Sequence, residues 1–512
     1  MEKEIKLLST SLGRRRIFSL PPIKKTMIAG SRRTLALWNE YYDTEDQKLT
    51  RAGIAYRVRR TNREAYEATI KTRGYTAGGF SARGEYTVPL AGPDPVLTGF
   101  SNQMDMKLET LLADEELHGI VTIEFIRKTA LLQLSAGTVV ELAVDSGLIR
   151  AGGKKMPIEE IEVELKKGSE RDLMRFVADL SETVPLYPEE RSKFRRGLDL
   201  LGVPAGSPRP VATVLSPEGP FDAGWRSLMR ALLFAGLDRL TAAWKKEEKE
   251  GNRREKPLYP YIRNLTAFWA WGEPFLARVA WHQGNQKLEK LLSYWERAGL
   301  LEEAGEGMDA LSGCFDPGPL VLLLRREQSE RLQDFHRDLM KGETASVLWR
   351  LLADTYSRTV RNPVSCHASK VLELQLLDWY RAARETDGAE IQAVRKQALT
   401  LTGFLIVKAA WQGSLPARRF FREAETCLEN AEKAYIALLL SRECWQKAHN
   451  GKILERRLAL AALSGYAFRR GEKHRQKVRK AVRKMVEALE KKRLDGSQES
   501  SKNKSQKIKN NI

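Results

Sequence analysis

The first residues of the chain alternate in a way that could bind a metal ion next to a phosphate. The opening segment reads Glu2-Lys3-Glu4-Ile5-Lys6, and alternate side chains of an extended strand share one face. Glu2, Glu4 and Lys6 therefore point to one side of the predicted strand. Two carboxylates beside a lysine suit a hard divalent cation that also contacts a phosphate. The same pattern is typical of a solvated strand, so this segment alone leaves both interpretations open.

Later segments repeat this alternation. They place charged side chains together on one strand face at Arg57 and Arg59, Lys71 and Arg73, Arg83 and Glu85, Glu141 and Asp145, and Glu162, Glu164 and Lys166. Each segment by itself also fits a solvated face. Together they predict strands closed into a barrel whose charged faces line a water-filled lumen. Because unpaired buried charges are very costly, we expect the carboxylates to bind a metal and the basic residues to grip phosphate oxygens.

Composition narrows the class of protein and of partner. A chain of 512 residues is too long for one core and predicts two or more domains. Its formal net charge of +20 favours an anionic partner such as nucleic acid, polyphosphate, a nucleotide or a membrane surface. The four cysteines form no C-x-x-C pair, which argues against zinc and a disulfide framework and predicts a cytoplasmic location. No apolar run is long enough to span a bilayer.

The pattern of the sequence changes along the chain and predicts four regions. Residues 1–202 contain short alternating segments between Gly, Pro and Asp turns, which predicts strands. Residues 203–220 are rich in Pro, Gly and Ser and predict a linker. Residues 221–494 have helical apolar spacing, whereas residues 495–512 have almost no core-forming side chains and predict disorder. The expected fold class is multidomain α+β: an N-terminal antiparallel β-barrel tunnel with flanking helices, then an all-α helical bundle.

The charged segments also occur in a fixed order over the first 200 residues. They read Glu2-x-Glu4-x-Lys6, Tyr41-Tyr42-Asp43-Thr44, Arg57-Val58-Arg59, Lys71-Thr72-Arg73, Arg83-Gly84-Glu85, Glu141-x-x-x-Asp145-x-Gly147, Glu162-x-Glu164-x-Lys166 and Ser192-Lys193-x-x-Arg196-Gly197. In this order they resemble the CYTH domains of the triphosphate tunnel metalloenzymes. The resemblance covers the whole of region 1–202 and implies an antiparallel barrel that binds a triphosphate chain.

The resemblance also implies two sets of site residues. The metal-binding set, for Mg²⁺ or Mn²⁺, is Glu2, Glu4, Asp145, Glu162 and Glu164. The phosphate-binding set is Lys6, Arg57, Arg59, Lys71, Arg83, Arg127 and Lys193. Within the second set, Lys6, Arg59 and Lys71 are predicted to act in catalysis. Glu85 and Glu141 are either supporting partners of these sets or simple salt-bridge partners of the arginines.

The activity implied by this resemblance is metal-dependent hydrolysis of a phosphoanhydride bond of inorganic triphosphate (tripolyphosphate). Such a reaction needs charge neutralisation on the transferred phosphoryl group and an aligned water, but no covalent nucleophile. The alternatives within the same superfamily are a nucleoside or thiamine triphosphatase and an adenylate cyclase. A polyphosphate-binding protein without catalytic activity is the alternative from another class, and the intact metal-ligand positions argue against it.

The second half of the chain resembles the CHAD domains of bacterial CYTH–CHAD proteins in its position and helicity. The match is incomplete, because Pro260 stands where that family has the His of a His-x-x-Arg block and only Arg263 is kept. The resemblance implies a CHAD-like helical domain and leaves binding of long-chain polyphosphate open. Arg469–Arg493 is dense in basic residues and predicts either a solvated helix or an anion-binding arm, with nucleic acid the less favoured partner.

Overall fold

The computed structural model has two compact units. It describes residues 1–61, 65–100, 108–112, 115–134, 137–204, 215–250, 258–274, 276–311, 318–357, 367–385, 391–415, 417–450 and 454–509. The first unit comprises Met1–Pro210, Leu233–Asn252 and Asp338–Ser357. The second comprises Val211–Leu232, Arg253–Arg337 and Arg358–Ile512. The first holds the sheet and the second is helical, which confirms the predicted fold class.

The strands and short helices of the first unit follow one another in the chain as the turn residues predict. The strands are β1 (Glu2–Leu8), β2 (Arg33–Asp43), β3 (Ala55–Thr61), β4 (Tyr66–Lys71), β5 (Tyr75–Ala77), β6 (Phe80–Arg83), β7 (Glu85–Leu90), β8 (His118–Gln133), β9 (Val139–Ala151), β10 (Lys154–Lys167) and β11 (Tyr187–Pro188). The helices up to residue 202 are α1 (Ser11–Arg16), α2 (Pro21–Thr26), α3 (Lys48–Ala52), α4 (Leu108–Leu112), α5 (Glu170–Ser181) and α6 (Lys193–Leu200).

The strands form one antiparallel sheet in the order β5-β6-β1-β10-β9-β8-β2-β3-β4-β7, with β11 added beside β1. β6 pairs with β1 near one edge, whereas β7 pairs with β4 at the other edge. Only Gly84 separates β6 from β7 in the chain. The sheet must therefore curl until its two edges meet at Gly84, whose carbonyl accepts a hydrogen bond of 3.0 Å from Thr72 N. The result is a curled antiparallel half-barrel.

Helix α6 lies on the concave face of this half-barrel and fills one end of it. Phe194 and Leu198 of α6 pack with inward side chains of the sheet that include Leu37, Ile123 and Phe125. A Cβ on Gly197 would lie 2.4 Å from Val121, so the helix approaches the sheet closely at that glycine. The rest of the concave face stays available to the charged side chains of the same strands.

The convex face is covered by apolar packing. Tyr56, Val58 and Ile70 of β3 and β4 form a buried cluster with Phe100 and Leu108 of the loop and helix outside them. These residues alternate in sequence with the inward charges, because successive strand side chains point to opposite faces. Burial of the outward set, at roughly 25 cal/mol per Å² of apolar surface, therefore orients the charged set toward the interior.

Two helical segments from beyond residue 202 belong to the first unit. The remaining helices of the chain are α7 (Phe221–Glu250), α8 (Tyr259–Trp269), α9 (Arg278–Leu311), α10 (Gly318–Lys341), α11 (Glu343–Thr355), α12 (Ala368–Glu385), α13 (Ile391–Ala410), α14 (Arg418–Asn450) and α15 (Leu454–Lys509). The ring of Trp244 in α7 stacks on Tyr187, with the centroids 4.8 Å apart. Trp349 Nε1 in α11 donates to Leu186 O at 3.0 Å. The packing of the sheet unit therefore continues past Gly202.

The helical unit has its own aromatic core. The ring of Trp271 meets Phe404 edge-on at 5.3 Å, and Phe404 meets Phe420 at the same distance. Helix α15 extends to Lys509, and so includes most of the segment for which the sequence predicts disorder. Residues 205–214 of the predicted linker, residues 510–512, and Cys314 and Cys366 lie outside the described residues. Among the described residues, no helix combines the length and apolarity needed to cross a bilayer.

The stacking of Trp244 on Tyr187 predicts a large loss of stability for Trp244→Ala. Trp244 is 4% exposed, and removing a buried aromatic side chain costs about 3–5 kcal/mol in the free energy of unfolding. Urea denaturation followed by circular dichroism should show this loss. The matched control is Trp445→Ala, because Trp445 is 61% exposed and should change the free energy by less than about 0.5 kcal/mol. Equal effects of the two substitutions would contradict this account of the packing.

Candidate active site

A cavity of about 360 Å³ occupies the charged part of the concave face. Its lining includes Glu2, Glu4, Lys6, Arg57, Arg59, Lys71, Arg83, Arg127, Glu162, Glu164 and Lys193. Of the residues predicted from the sequence, Asp145 lies outside this lining, and it contacts the cavity through Arg127 and Lys193. Glu85 and Glu141 also line it. Side chains from strands that are far apart in the sequence thus meet in one space.

Strand β1 forms the first charged wall of the cavity. The Lys6 ammonium lies 2.5 Å from Glu4 Oε1, and both side chains are almost completely buried. Lys71 Nζ of β4 donates to both Glu2 oxygens at 2.7 and 2.8 Å. Arg83 reaches Glu2 at 3.2 Å and Glu4 at 3.1 Å. Glu4 is therefore paired with basic groups of its own strand and of the adjacent strand β6, whereas Glu2 also has a partner, Lys71, from the distant strand β4.

The second wall brings three carboxylates together. Asp145 of β9 and Glu160 and Glu162 of β10 each offer an oxygen within 4.8 Å of the others. Antiparallel pairing explains this, because Asp145 lies opposite Glu160 while Glu162 projects from the same face two residues on. Three carboxylate oxygens form a hard donor set of the kind that Mg²⁺ and Mn²⁺ prefer. This group therefore fits a divalent ion, and Glu162 is the member that lines the cavity, together with Glu2, Glu4 and Glu164.

Basic residues hold this carboxylate cluster in place. Arg127 binds Asp145 bidentately, with Nε–Oδ1 and Nη2–Oδ2 distances of 2.8 and 2.7 Å. Arg127 also contacts Glu162. Lys193 lies 2.7 Å from Asp145 and 2.9 Å from Glu162, and it contacts Glu160 as well. Charge-assisted hydrogen bonds are strong, and a bidentate pair also fixes the relative orientation of the guanidinium and the carboxylate.

Two residues of this wall, Glu160 and Arg196, are not in the predicted sets of site residues, although Arg196 stands in the motif Ser192-Lys193-x-x-Arg196-Gly197. Glu160 is fully buried and contacts both Lys193 and Arg196, a side chain that is 4% exposed. Glu160 precedes Glu162 by two residues, so strand alternation alone would have placed it on the same face. Arg196 follows Lys193 by three residues on α6, which puts both side chains on one side of the helix. These two spacings are the sequence features from which both residues could have been predicted as part of the site.

Arg57 and Arg59 of β3 form a third wall with fewer partners. Arg59 donates to Asn39 Oδ1 at 2.8 Å and lies 3.4 Å from Glu67. Arg57 lies 3.7 Å from the carboxylate of Glu85, and its buried Nε–H finds no hydrogen-bond acceptor among the described residues. Buried donors in native proteins are normally satisfied. This pair is therefore suited to bind an anion that enters the cavity.

The charged groups on the two sides of the cavity differ in how their surroundings shift their pKa values. Burial by itself raises the pKa of Glu162, but Lys193 and Arg127 more than reverse this and hold its pKa well below the usual range. Burial, with Lys193 and Arg196 opposing it, raises the pKa of Glu160. Burial and the neighbouring guanidinium groups of Arg57 and Arg127 lower the pKa of Arg59 to about 10. The ionised Glu162 thus favours a cation at the carboxylate wall, while the repulsion of Arg59 by Arg57 and Arg127 favours an anion beside them.

Comparison with known proteins gives a consistent assignment for this part of the chain. The family model described as the CYTH domain matches residues 2–198. An inorganic triphosphatase from Haemophilus influenzae is 32% identical over 207 residues, which cover 39% of this chain and 55% of the relative. The chain thus spans about half the length of that curated relative.

Two solved structures are similar to part of this chain. A putative adenylyl cyclase from Hippeastrum, described as having a dominant triphosphatase activity, is 17% identical with a TM-score of 0.28 and covers 40% of this chain and 98% of that chain. The Mimivirus capping enzyme triphosphatase is 13% identical with a TM-score of 0.24 and covers 35% of this chain and 87% of that chain. Scores of this size do not establish a shared activity.

The lowered pKa of Glu162 predicts how acid affects stability. Its folded-state pKa lies well below the ordinary value of 4.5, so its ionisation stabilises the fold above that pH, and this stabilisation is lost as the pH falls toward the folded pKa. We expect Glu162→Gln to lower the free energy of unfolding at pH 7 by about 3–5 kcal/mol, because Arg127 and Lys193 lose a buried partner. Below about pH 4.5, the stability of this variant should depend less on pH than that of the wild type.

Urea unfolding between pH 7 and pH 3 measures both effects. The exposed residue Glu116 supplies a control, since Glu116→Gln should reproduce the wild-type dependence on pH. If Glu162→Gln also followed the wild-type curve, the ion pairs of Glu162 would contribute nothing to stability.

Proposed function

Since residues 2–198 of this chain form a CYTH domain, we propose that the protein hydrolyses a phosphoanhydride bond of inorganic triphosphate in a metal-dependent reaction. The observation that carries the proposal is the composition of one cavity. Its lining combines the largely buried guanidinium groups of Arg57 and Arg59 with Glu162, the member of the three-carboxylate cluster that reaches the cavity. A short polyphosphate chain with a divalent ion is a ligand that needs both kinds of group at once.

In this proposal the carboxylates bind the divalent ion and the basic side chains orient the substrate. Asp145, Glu160 and Glu162 would hold the divalent ion, with Glu2 and Glu4 on the neighbouring strand β1 as further oxygen donors. When bound, such an ion neutralises charge on phosphate oxygens and lowers the pKa of a coordinated water. No residue of the chain needs to form a covalent intermediate, because phosphoryl transfer depends mainly on positioning and electrostatic stabilisation.

The basic side chains perform the positioning. Arg57 and Arg59 present guanidinium groups that can bind phosphate oxygens bidentately. Lys6 and Lys71 lie on neighbouring parts of the lining and can hold the same chain of phosphates along its length. Preorganised cations that face the transferred group stabilise the charge that develops on it in the transition state. Arg59 is proposed as the principal residue of this kind, together with Lys6 and Lys71.

The aromatic side chains of the cavity support inorganic triphosphate over a nucleotide. Tyr41 and Phe194 stack on each other with their centroids 4.5 Å apart. The ring of Phe125 lies 5.6 Å from the Arg127 guanidinium and 5.1 Å from the Lys193 ammonium. Each of the three rings in the described lining is thus already in contact on one face and is at most 9% exposed, so little ring surface is left for stacking on a base. A nucleoside or thiamine triphosphate would lack the aromatic contact that recognises its organic part.

For the helical unit, we propose only that it binds an anionic polymer. Exposed basic side chains recur along α15 at three- and four-residue spacing: Arg469, Lys473, Lys477, Lys480 and Arg483. Such a face suits long-chain polyphosphate, which would bring the substrate class close to the protein. The predicted CHAD-like identity of this unit stays a prediction.

The substrate proposal predicts that purified protein with Mg²⁺ or Mn²⁺ releases phosphate from tripolyphosphate faster than from ATP or thiamine triphosphate. Arg59→Ala should lower kcat/KM for tripolyphosphate by about 10²–10³-fold, the usual effect of removing one transition-state donor. Arg60→Ala is the matched control, because Arg60 is the next residue of β3, is exposed, and points to the other face. Its kcat/KM should stay within about two-fold of the wild type. Faster ATP turnover, or release of cyclic AMP and pyrophosphate, would reassign the substrate, and no turnover of any of them would favour a binding protein.

The metal proposal predicts that a chelator abolishes turnover and that Mg²⁺ or Mn²⁺ restores it. Glu160→Gln should raise the metal concentration for half-maximal activity by about ten-fold or more, because the cluster loses one charged ligand. Calorimetric titration with Mn²⁺ alone provides a readout that does not depend on turnover. Glu159→Gln is the control, since its exposed side chain lies on the opposite face and pairs with Arg14. Unchanged Mn²⁺ binding in Glu160→Gln would exclude this cluster as the metal site.

A further inference from the structure

The segment 186–193, called here the anchor segment, ends with one lysine of the cavity, Lys193, and lies beside another, Lys6. Its backbone at Glu189 N donates to Lys6 O at 3.0 Å, and its strand β11 pairs with the end of β1. Its last residue, Lys193, is the first residue of α6, whose N-cap is Ser192 with Oγ accepting from Arg195 N at 3.0 Å. A displacement of this segment would therefore move Lys6 and Lys193 together.

The other side of Lys6 is fixed by the turn between β5 and β6. Lys6 N donates to Gly79 O at 2.9 Å. Gly79 has φ +76°, and a Cβ at this position would lie 2.5 Å from Lys6 O and 2.9 Å from the Cβ of Pro188. Only glycine permits both the left-handed conformation and this close approach. Lys6 is thus held between the turn and the anchor segment.

Helix α7 contacts the anchor segment through an ion pair and through aromatic stacking. Lys245 Nζ lies 2.9 Å from Glu189 Oε2, and the Glu189 side chain is 5% exposed. Burial alone raises the pKa of Glu189, but Lys245 and Arg191 lower it overall, so the buried carboxylate stays ionised. Next to it, Trp244 covers Tyr187. A buried carboxylate that loses its main cationic partner must shift toward solvent or repack.

We propose that Lys245 is a positioning residue that acts through Glu189 and the anchor segment to hold Lys6 and Lys193 in the cavity. This rests on the proposed function, which assigns Lys6 to phosphate binding, while Lys193 pairs with the carboxylate cluster. Lys245 lies outside residues 2–198, the span matched by the family. The helical part of the first unit thus contributes to the geometry of a site whose cavity it does not line.

The test compares Lys245→Met, which removes the charge but keeps an unbranched apolar chain, with Lys245→Arg, which keeps the charge. Lys245→Met should lower kcat/KM for tripolyphosphate by about ten-fold, since sub-ångström misplacement of positioning groups costs activity steeply. Lys245→Arg should restore it to within about two-fold, and Glu189→Gln combined with Lys245→Met should fall no further than Lys245→Met alone, because both changes break one pair. Lys155→Met, at an exposed lysine of the sheet unit, is the control that should match the wild type.

Hydrogen exchange gives a readout that is independent of turnover. In Lys245→Met the amides of Lys6 and Glu189 should exchange faster than in the wild type and in Lys155→Met, under conditions in which circular dichroism shows that all three proteins are folded. Wild-type exchange at both amides, or a kcat/KM within two-fold of the wild type in folded Lys245→Met, would overturn the positioning role. If the wild type itself does not hydrolyse tripolyphosphate, the proposed function fails, and faster exchange in Lys245→Met would then still show the mechanical coupling.

Discussion

An ionised side chain that leaves water costs several kcal/mol unless opposite charges and hydrogen bonds replace its hydration. The first unit buries several ionisable side chains on the concave face of one sheet and pairs them with opposite charges. Asp145 and Glu160 are fully buried, and Glu4 is 3% exposed. Each has a cationic partner from another element, as Arg127 of β8 and Lys193 of α6 show for Asp145. The curl of the sheet and the pairing of these charges are therefore mutually dependent.

The same requirement explains why the cavity suits a metal and a polyanion together. A cation alone would compete with Arg127 and Lys193 for the carboxylates, and an anion alone would compete with the carboxylates for Lys6 and Lys71. A complex of both can satisfy each wall without leaving any charge unpaired. The β3 arginines are the exception within the present pairing, because Arg57 keeps a buried donor without an acceptor among the described residues. That asymmetry favours entry of phosphate on the β3 side.

Helix α6 divides the concave face into an apolar end and a charged cavity. Its Phe194 and Leu198 complete a hydrophobic cluster, whereas Lys193 and Arg196 of the same eight-residue helix contact the carboxylates. One short amphipathic helix thereby closes one end of the space and supplies part of its charge. The anchor segment leads into this helix and is held by α7 and α11, so the packing of distant helices reaches the site through backbone contacts.

Strand alternation let the sequence by itself determine which side chains share a face, and so which acids and bases could line a common interior. That reasoning found Glu2, Glu4 and Lys6 because a period of two is a local property of the chain. The place of Glu160 in the carboxylate cluster depends on the strand register that sets it opposite Asp145. It also depends on the packing of α6, whose Lys193 contacts it. The support of Lys6 by Gly79, Glu189 and Lys245 is not visible in any local pattern, because these residues are brought together by packing across more than 200 positions of sequence. Only the tertiary structure could decide those contacts, since burial and the pairing of buried charge are properties of the whole fold rather than of a segment.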